Sequence, residues 1–280
     1  MGHPTLLAGL ALTAGLVAAT AAPAATLRIT ITNTADVGGF SLTPVYTAFH
    51  NGTFDAFDAG ALATPGVELL AELGDASGLP AERLAQDPGS TARMIAQPAN
   101  GPGTIDPGES GFVEVDLDTV NQRFFTFLSM IVPSNDTFIG NDDPEAIELF
   151  DAAGNYLGDQ TIELTGLDIY DAGTEANLLE NGAAFVTSVD GAAPAVPAPG
   201  GVATRDNIVL ASLLGFRVGS DIGTPAGPLD AALTQFSDDP AAFSVARIEI
   251  AAVPLPAAAP MLGGALLLLG AMRVRKRARA

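Results

Sequence analysis

The chain has no cysteine, no tryptophan and, before its last eight residues, no lysine. Without thiols it forms no disulfide, no thiolate zinc site and no cysteine nucleophile. Histidine is almost as scarce, with His3 and His50 alone. His50 sits beside Asn51 in a stretch that reads as a loop, so an exposed or capping side chain is expected there. No His-Glu-x-x-His, Gly-x-Ser-x-Gly or phosphate-cradling glycine loop occurs, and the chain is not expected to be an enzyme.

Positive charge is the other shortage. Lys and Arg number 12 against 32 Asp and Glu, and five of the 12 stand at the extreme C-terminus. The body of the chain therefore sets seven arginines against 32 carboxylates. Such a surface repels polyanions, which excludes nucleic acid as a partner.

What is present concentrates at the two ends. Leu6 to Ala22 is an apolar, alanine- and leucine-rich run followed by Ala22-Pro23-Ala24, a small-x-small pattern. This predicts a signal peptide over residues 1–24 and an exported protein. The last 28 residues hold three zones in order. Val253, Pro254, Leu255, Pro256 and Ala257 come first. An uncharged run from Ala257 to Met272 follows, 16 residues or roughly 24 Å as helix. Arg273, Arg275, Lys276, Arg277 and Arg279 close the chain and favour the cytoplasmic side. The arrangement resembles PEP-CTERM-like sorting tails of the Val-Pro-Leu-Pro-Ala variety. That resemblance implies an exosortase-type membrane protease as partner and a transient inner-membrane span facing the periplasm. Display at the cell surface or release would follow.

Between the ends, residues 25–252 are long enough for one sizeable core or two small ones. Glycine (31) and proline (20) are abundant, which favours a turn-rich β protein. Apolar and polar residues alternate over Leu27–Thr32, Phe112–Leu117 and Val245–Ile250, the period of half-buried strands. Arg123–Val132 is denser. Phe124, Phe125, Phe127, Leu128, Met130 and Ile131 occupy both parities, as expected of a central strand covered on both faces. Ala146–Phe150 and Thr161–Leu164 flank Asp151-Ala152-Ala153-Gly154-Asn155, which suggests a hairpin. Pro65–Leu73 and Pro80–Ala85 read as short helices. Residues 189–205 read as a loop within a variable region of about 186–240. The expected fold is all-β: a two-sheet antiparallel β-sandwich with long loops and one or two short helices.

Phe127 to Asp136, with Pro133-Ser134-Asn135-Asp136 after a buried strand, resembles the central motif of spondin N-terminal domains. Asp171-Ala172-Gly173-Thr174-Glu175 is similar to that family's Asp-Ala-Gly-Thr-acidic motif, and Val245-Ala246-Arg247-Ile248 to its closing strand. The resemblance implies a sandwich with one calcium ion in the loops at one end, held by Asp136, Asp171 and Glu175. Calcium takes six to eight oxygens in flexible geometry, and loop carboxylates supply them. Gly173 permits a tight turn that aims Asp171 and Glu175 at one point, and converging carboxylates call for a cation. Glu175 departs from the aspartate usual in animal members. The implied function is an adhesion or matrix-binding module whose partner is an extracellular polysaccharide or matrix component. A non-specific structural role in the extracellular polymer or biofilm layer is the alternative.

Overall fold

The computed structural model describes residues 24–100, 103–132, 134–175, 204–210, 223–224, 227–228 and 240–254. The strands in chain order are β1 (Ala24–Asn33), β2 (Ser41–Leu42), β3 (Val45–His50), β4 (Thr91–Ile95), β5 (Ser110–Asp118), β6 (Phe124–Val132) and β7 (Thr137–Gly140). They continue as β8 (Gln160–Thr165), β9 (Ile169–Asp171), β10 (Val209–Leu210), β11 (Gly223–Thr224), β12 (Gly227–Pro228) and β13 (Ser244–Ala252). Two helices, α1 (Pro65–Leu73) and α2 (Leu79–Gln86), follow β3.

One sheet has the order β5-β1-β13-β8. Its alternation sorts side chains as the period-2 pattern requires: Leu27, Ile29, Ile31, Val115, Leu117, Ile248 and Ile250 are buried against the second sheet. The outer face carries cross-strand ion pairs, Arg28–Glu114 at 2.6 Å and Arg247–Glu163 at 2.7 Å. Both pairs are exposed and contribute little stability.

The second sheet has the order β10-β9-β7-β6-β3-β4, with β2 also paired to β6. Every residue of β6 is buried. Phe125, Phe127 and Ile131 enter the core between the sheets, while Leu128, of opposite parity, packs under α1 with Val67, Leu70 and Ala71. The two apolar parities of this segment thus have two separate covers, as the sequence demanded. The molecule is an all-β, two-sheet antiparallel sandwich with a helical lid on one face. Thr64 caps α1, accepting from the Val67 amide at 3.2 Å. Glu82 of α2 adds a second cap by accepting from the Gly66 amide at 2.7 Å.

Two readings from sequence are corrected. The Asp151–Asn155 turn exists, with Gly154 at φ +81° and Phe150 bridged to Tyr156. Thr161–Leu164, however, does not return along Ala146–Phe150. It lies in β8 and pairs with β13 in the other sheet, while Ile147 and Leu149 bond the start of β6. Ile162 and Leu164 need the core beneath the first sheet, and burial outweighs the local hairpin signal.

His50 is the second correction. It ends β3 and is fully buried. Its Nε2 lies 2.9 Å from the Thr126 hydroxyl, and Nδ1 accepts from the Gly52 amide at 3.1 Å. Burial, the larger influence, pulls its pKa down to about 4, although the nearby Asp87 carboxylate works the other way. The imidazole is therefore neutral in the fold and an ordinary base in the unfolded chain. As pH falls from 6.5 to about 4 the unfolded state takes up the proton first, and about 3 kcal/mol of stability is lost. NMR titration of the His50 ring should show a midpoint near 4. A midpoint near 6.5 would refute the burial argument.

The two ends of the sandwich differ. Leu27 of β1 pairs with Ala252 of β13, and the Val253 amide donates to the Thr26 carbonyl at 2.9 Å. The first and last described strands thus open at the same end. At the opposite end, Asn33 donates to the carbonyls of Phe40 and Ile105, and Ser41 pairs with Val132. A strand length of about 30 Å separates them.

Among the described residues no helix is long and apolar enough to cross a membrane. The span expected at 257–272, residues Leu255, Pro256 and Ala257 of the sorting motif and the Arg273–Arg279 cations lie outside the described residues. So do the signal segment before Ala24 and most of the 186–240 region.

Candidate metal site

The site forms where β6 ends. Ser134 Oγ donates to the Ile131 carbonyl at 2.7 Å and accepts from the Thr137 amide at 3.1 Å, turning the chain into β7. Asp136 sits inside that turn. Thr137 is register partner of Asp171 at the end of β9, and the Ala172 amide donates to the Asp136 carbonyl at 3.0 Å. The two loops are therefore locked together by backbone pairing.

Gly173 then turns at φ +66°, a conformation costly for residues with a Cβ. A Cβ there would also lie 2.9 Å from the Asn207 carbonyl oxygen. The turn directs its amides inward. Gly173 N donates to Asp171 Oδ1 at 2.7 Å, and Thr174 N and Glu175 N donate to Asp136 Oδ2 at 2.8 and 2.9 Å. The Thr174 hydroxyl adds a bond to the same oxygen at 3.3 Å.

Asp136 and the distant pair Asp171 and Glu175 are thus buried in one place. The other oxygen of Asp136, Oδ1, is buried and has no hydrogen-bond partner among the described residues. Burial pushes the Asp136 carboxyl up to about 7, and the Asp171 charge adds to the rise; the Thr174 and Glu175 amides hold it back. A carboxylate in this position requires either a proton or a cation.

The carboxylates are not a finished cage. Among the described residues no group of three His, Asp or Glu side chains is placed to hold a metal ion. Part of their bonding capacity is committed to loop amides. A calcium ion needs six to eight oxygens, so backbone carbonyls and water would have to complete the set. The buried, orphaned Oδ1 is an oxygen acceptor of the kind that a proton or a hard divalent cation can satisfy.

The surroundings were not legible in the sequence. Glu72 on α1 hydrogen-bonds Thr174, and desolvation raises its pKa. Residues 204–208 strap the turn: Asp206 N donates to Gly173 O at 2.6 Å and Thr204 N to Thr174 O at 3.0 Å. Arg205 pairs with Glu68 at 2.5 Å. Glu68 and Glu72 share a helix face at i, i+4, but nothing in the sequence shows that this face meets the 171–175 turn. Other loop carboxylates are engaged elsewhere. Asp142 accepts from the Ala59 amide at 2.6 Å, and Asp118 caps its own turn.

The family profile described as Spondin_N matches residues 37–195, more than half of the chain. The matched span holds β2 to β9 and all three candidate ligands, while β1 and β13, the two central strands of the first sheet, lie outside it. No curated protein matches the chain. With the sandwich, the Pro-Ser-Asn-Asp loop and the Asp-Ala-Gly-Thr-Glu turn in agreement, the chain belongs to the spondin N-terminal domain family.

Proposed function

We propose that the protein is an exported, calcium-stabilised adhesion or matrix-binding module, shown at the cell surface or released from it. Spondin-like domains are extracellular and non-enzymatic, which supports export. The observation that carries the calcium reading is Asp136: its Oδ1 is buried and unpaired among the described residues, and its carboxyl is pushed up to about 7 next to Asp171. Calcium would be held by Asp136, Asp171 and Glu175. It would neutralise their charge and tie the 134–137 turn to the 171–175 turn. The site's end of the sandwich is opposite the end where β1 and β13 open, so a module tethered by its chain ends would present the calcium loops outward. An extracellular polysaccharide or matrix component is the proposed partner. Pull-down from the native extracellular layer with and without calcium tests this. Saturable, calcium-dependent capture of one component supports binding, and uniform incorporation without a discrete ligand supports a structural role in the biofilm polymer instead.

Processing by an exosortase-type membrane protease is part of the proposal. The precursor would be held by the 257–272 span, with Arg273, Arg275, Lys276, Arg277 and Arg279 inside. The Val253 amide is tied to Thr26, which favours a cut beyond Pro254. Mass spectrometry of the exported form should end within the motif. Peptides running through to Ala280 in that form would identify a lasting anchor.

A further inference from the structure

Asn51, Gly52 and Thr53 leave the end of β3 in a bend, with Asn51 and Thr53 exposed. Asparagine before glycine can close on itself, because no side chain on the glycine hinders attack of its backbone nitrogen on the asparagine Cγ. Here the asparagine is already folded toward that attack. Asn51 Oδ1 accepts from the Thr53 amide at 2.9 Å and from the Thr53 hydroxyl at 2.7 Å. The first bond curls the side chain over the Gly52 peptide, and both donors polarise the Cγ carbonyl. The Gln86 carbonyl is a more distant acceptor for the same hydroxyl, at 3.2 Å. Gly52 takes φ +101°, and Glu145 flanks it so closely that a Cβ would lie 2.7 Å from Oε1.

The attacking nitrogen has a base. Gly52 N donates to His50 Nδ1 at 3.1 Å, so Nδ1 carries no proton. The ring proton is therefore on Nε2, which donates to the Thr126 hydroxyl at 2.9 Å. A buried strand position and these two bonds fix the imidazole. Asp87 and Arg83 act on the ring in opposite senses, Asp87 favouring the imidazolium. Asp87 Oδ2 also accepts from the Asn51 amide at 2.9 Å, which anchors the residue that would react. A nucleophile on a base, a hydroxyl that orients the base and two donors on the oxygen that gains charge are the parts of an acyl-transfer site.

We infer that Asn51 is a self-modification site, at which the folded protein catalyses its own deamidation. His50 Nδ1 takes the Gly52 amide proton as Gly52 N bonds to Asn51 Cγ. Thr53 N and Oγ1 hold the oxyanion that results. It collapses to a succinimide: the Cγ–Nδ2 bond breaks, and Nδ2 leaves as ammonia with the proton that His50 returns. Water reaches this exposed residue and opens the ring to aspartate or isoaspartate. The reaction occurs once per chain and adds a carboxylate to the loop that leads from β3 to α1. This inference does not depend on the calcium site.

Incubation of the exported protein at pH 6, 7 and 8, followed by mass spectrometry of its Ile29–Arg83 tryptic fragment, tests it. Asn51 should convert about tenfold faster in the folded chain than in the same chain in urea. Asn33, in the same fragment but followed by Thr34, should stay intact. The folded rate should be level across this range, because His50, with a pKa of about 4, is neutral throughout. Hydroxide drives the unfolded reaction, which should rise about tenfold per pH unit. Thr53→Val, at an exposed position, should keep the melting temperature and slow the folded reaction by about tenfold. His50→Gln, studied below its own melting temperature, should bring back the rise with pH. Conversion no faster in the folded chain than in urea would show that the hydrogen bonds protect Asn51 and would overturn the inference. A folded rate that climbs with hydroxide, or an unchanged rate in Thr53→Val, would overturn it too.

Discussion

Phe127→Ala is expected to destabilise the fold by about 3–5 kcal/mol, the range for removing a buried aromatic ring and leaving a cavity. Phe127 is in the core between the sheets, 1% exposed, with its ring stacked on Phe125 at 6.1 Å. Its strand is flanked by β3 and β7, so neither neighbour can close the void without disturbing a backbone ladder. Whole-domain stabilities are about 5–15 kcal/mol, so the substitution removes a large share. Phe112→Ala is the control. Phe112 is 59% exposed on the outer face of β5, beneath the Arg28 guanidinium at 4.6 Å, and its loss should cost no more than about 1 kcal/mol. Urea unfolding of both variants separates them. Equal midpoints would mean that the core has been drawn in the wrong place.

The contrast between those phenylalanines also shows what the sequence could reveal. Alternation marked β1, β5 and β13 because each has one wet face, and double-parity apolar residues marked β6 because it has none. The helices were legible from their prolines: Pro65–Leu73 is α1, and Pro80–Ala85 falls within α2. The strand β3, Val-Tyr-Thr-Ala-Phe-His, is buried throughout yet mixes polar and apolar residues. Its polar groups are satisfied by partners distant in sequence, Thr47 by Arg93 O and His50 by Thr126. No local pattern encodes such pairings, which is why His50 read as a loop residue. The same limit applies to the site. Asp171, Gly173 and Glu175 form one short motif and were visible together, whereas Glu72 and the 204–208 strap reach the turn only through the tertiary fold.

Calcium should reverse a pH dependence that Asp136 imposes on the metal-free protein. Its carboxyl has a pKa of about 7 in the fold against an ordinary 3.8. The protonated form is therefore favoured by folding. Stability from this group is fully present below pH 3.8 and is lost as pH rises through 7, by about 4 kcal/mol in all. About 3 kcal/mol of that loss falls between pH 5 and 8. His50 acts in the opposite sense below pH 6.5, so the comparison of wild type with Asp136→Asn, which keeps His50, isolates the carboxyl. In chelator, wild type should lose stability relative to Asp136→Asn on going from pH 5 to 8. Calcium binds the ionised carboxylates, so its effect should be largest at pH 8 and fade toward pH 5 as protons compete. At 100 times its dissociation constant it would add about 2.7 kcal/mol. Asp171→Asn should abolish the response to calcium, because the remaining charge no longer demands a divalent counter-ion. Thermal melts at the two pH values, with and without calcium, read all of this. Identical melts for wild type in calcium and in chelator at pH 8, with no heat of calcium binding by calorimetry, would remove calcium from the site and leave Asp136 as a buried acid that keeps its proton up to about pH 7.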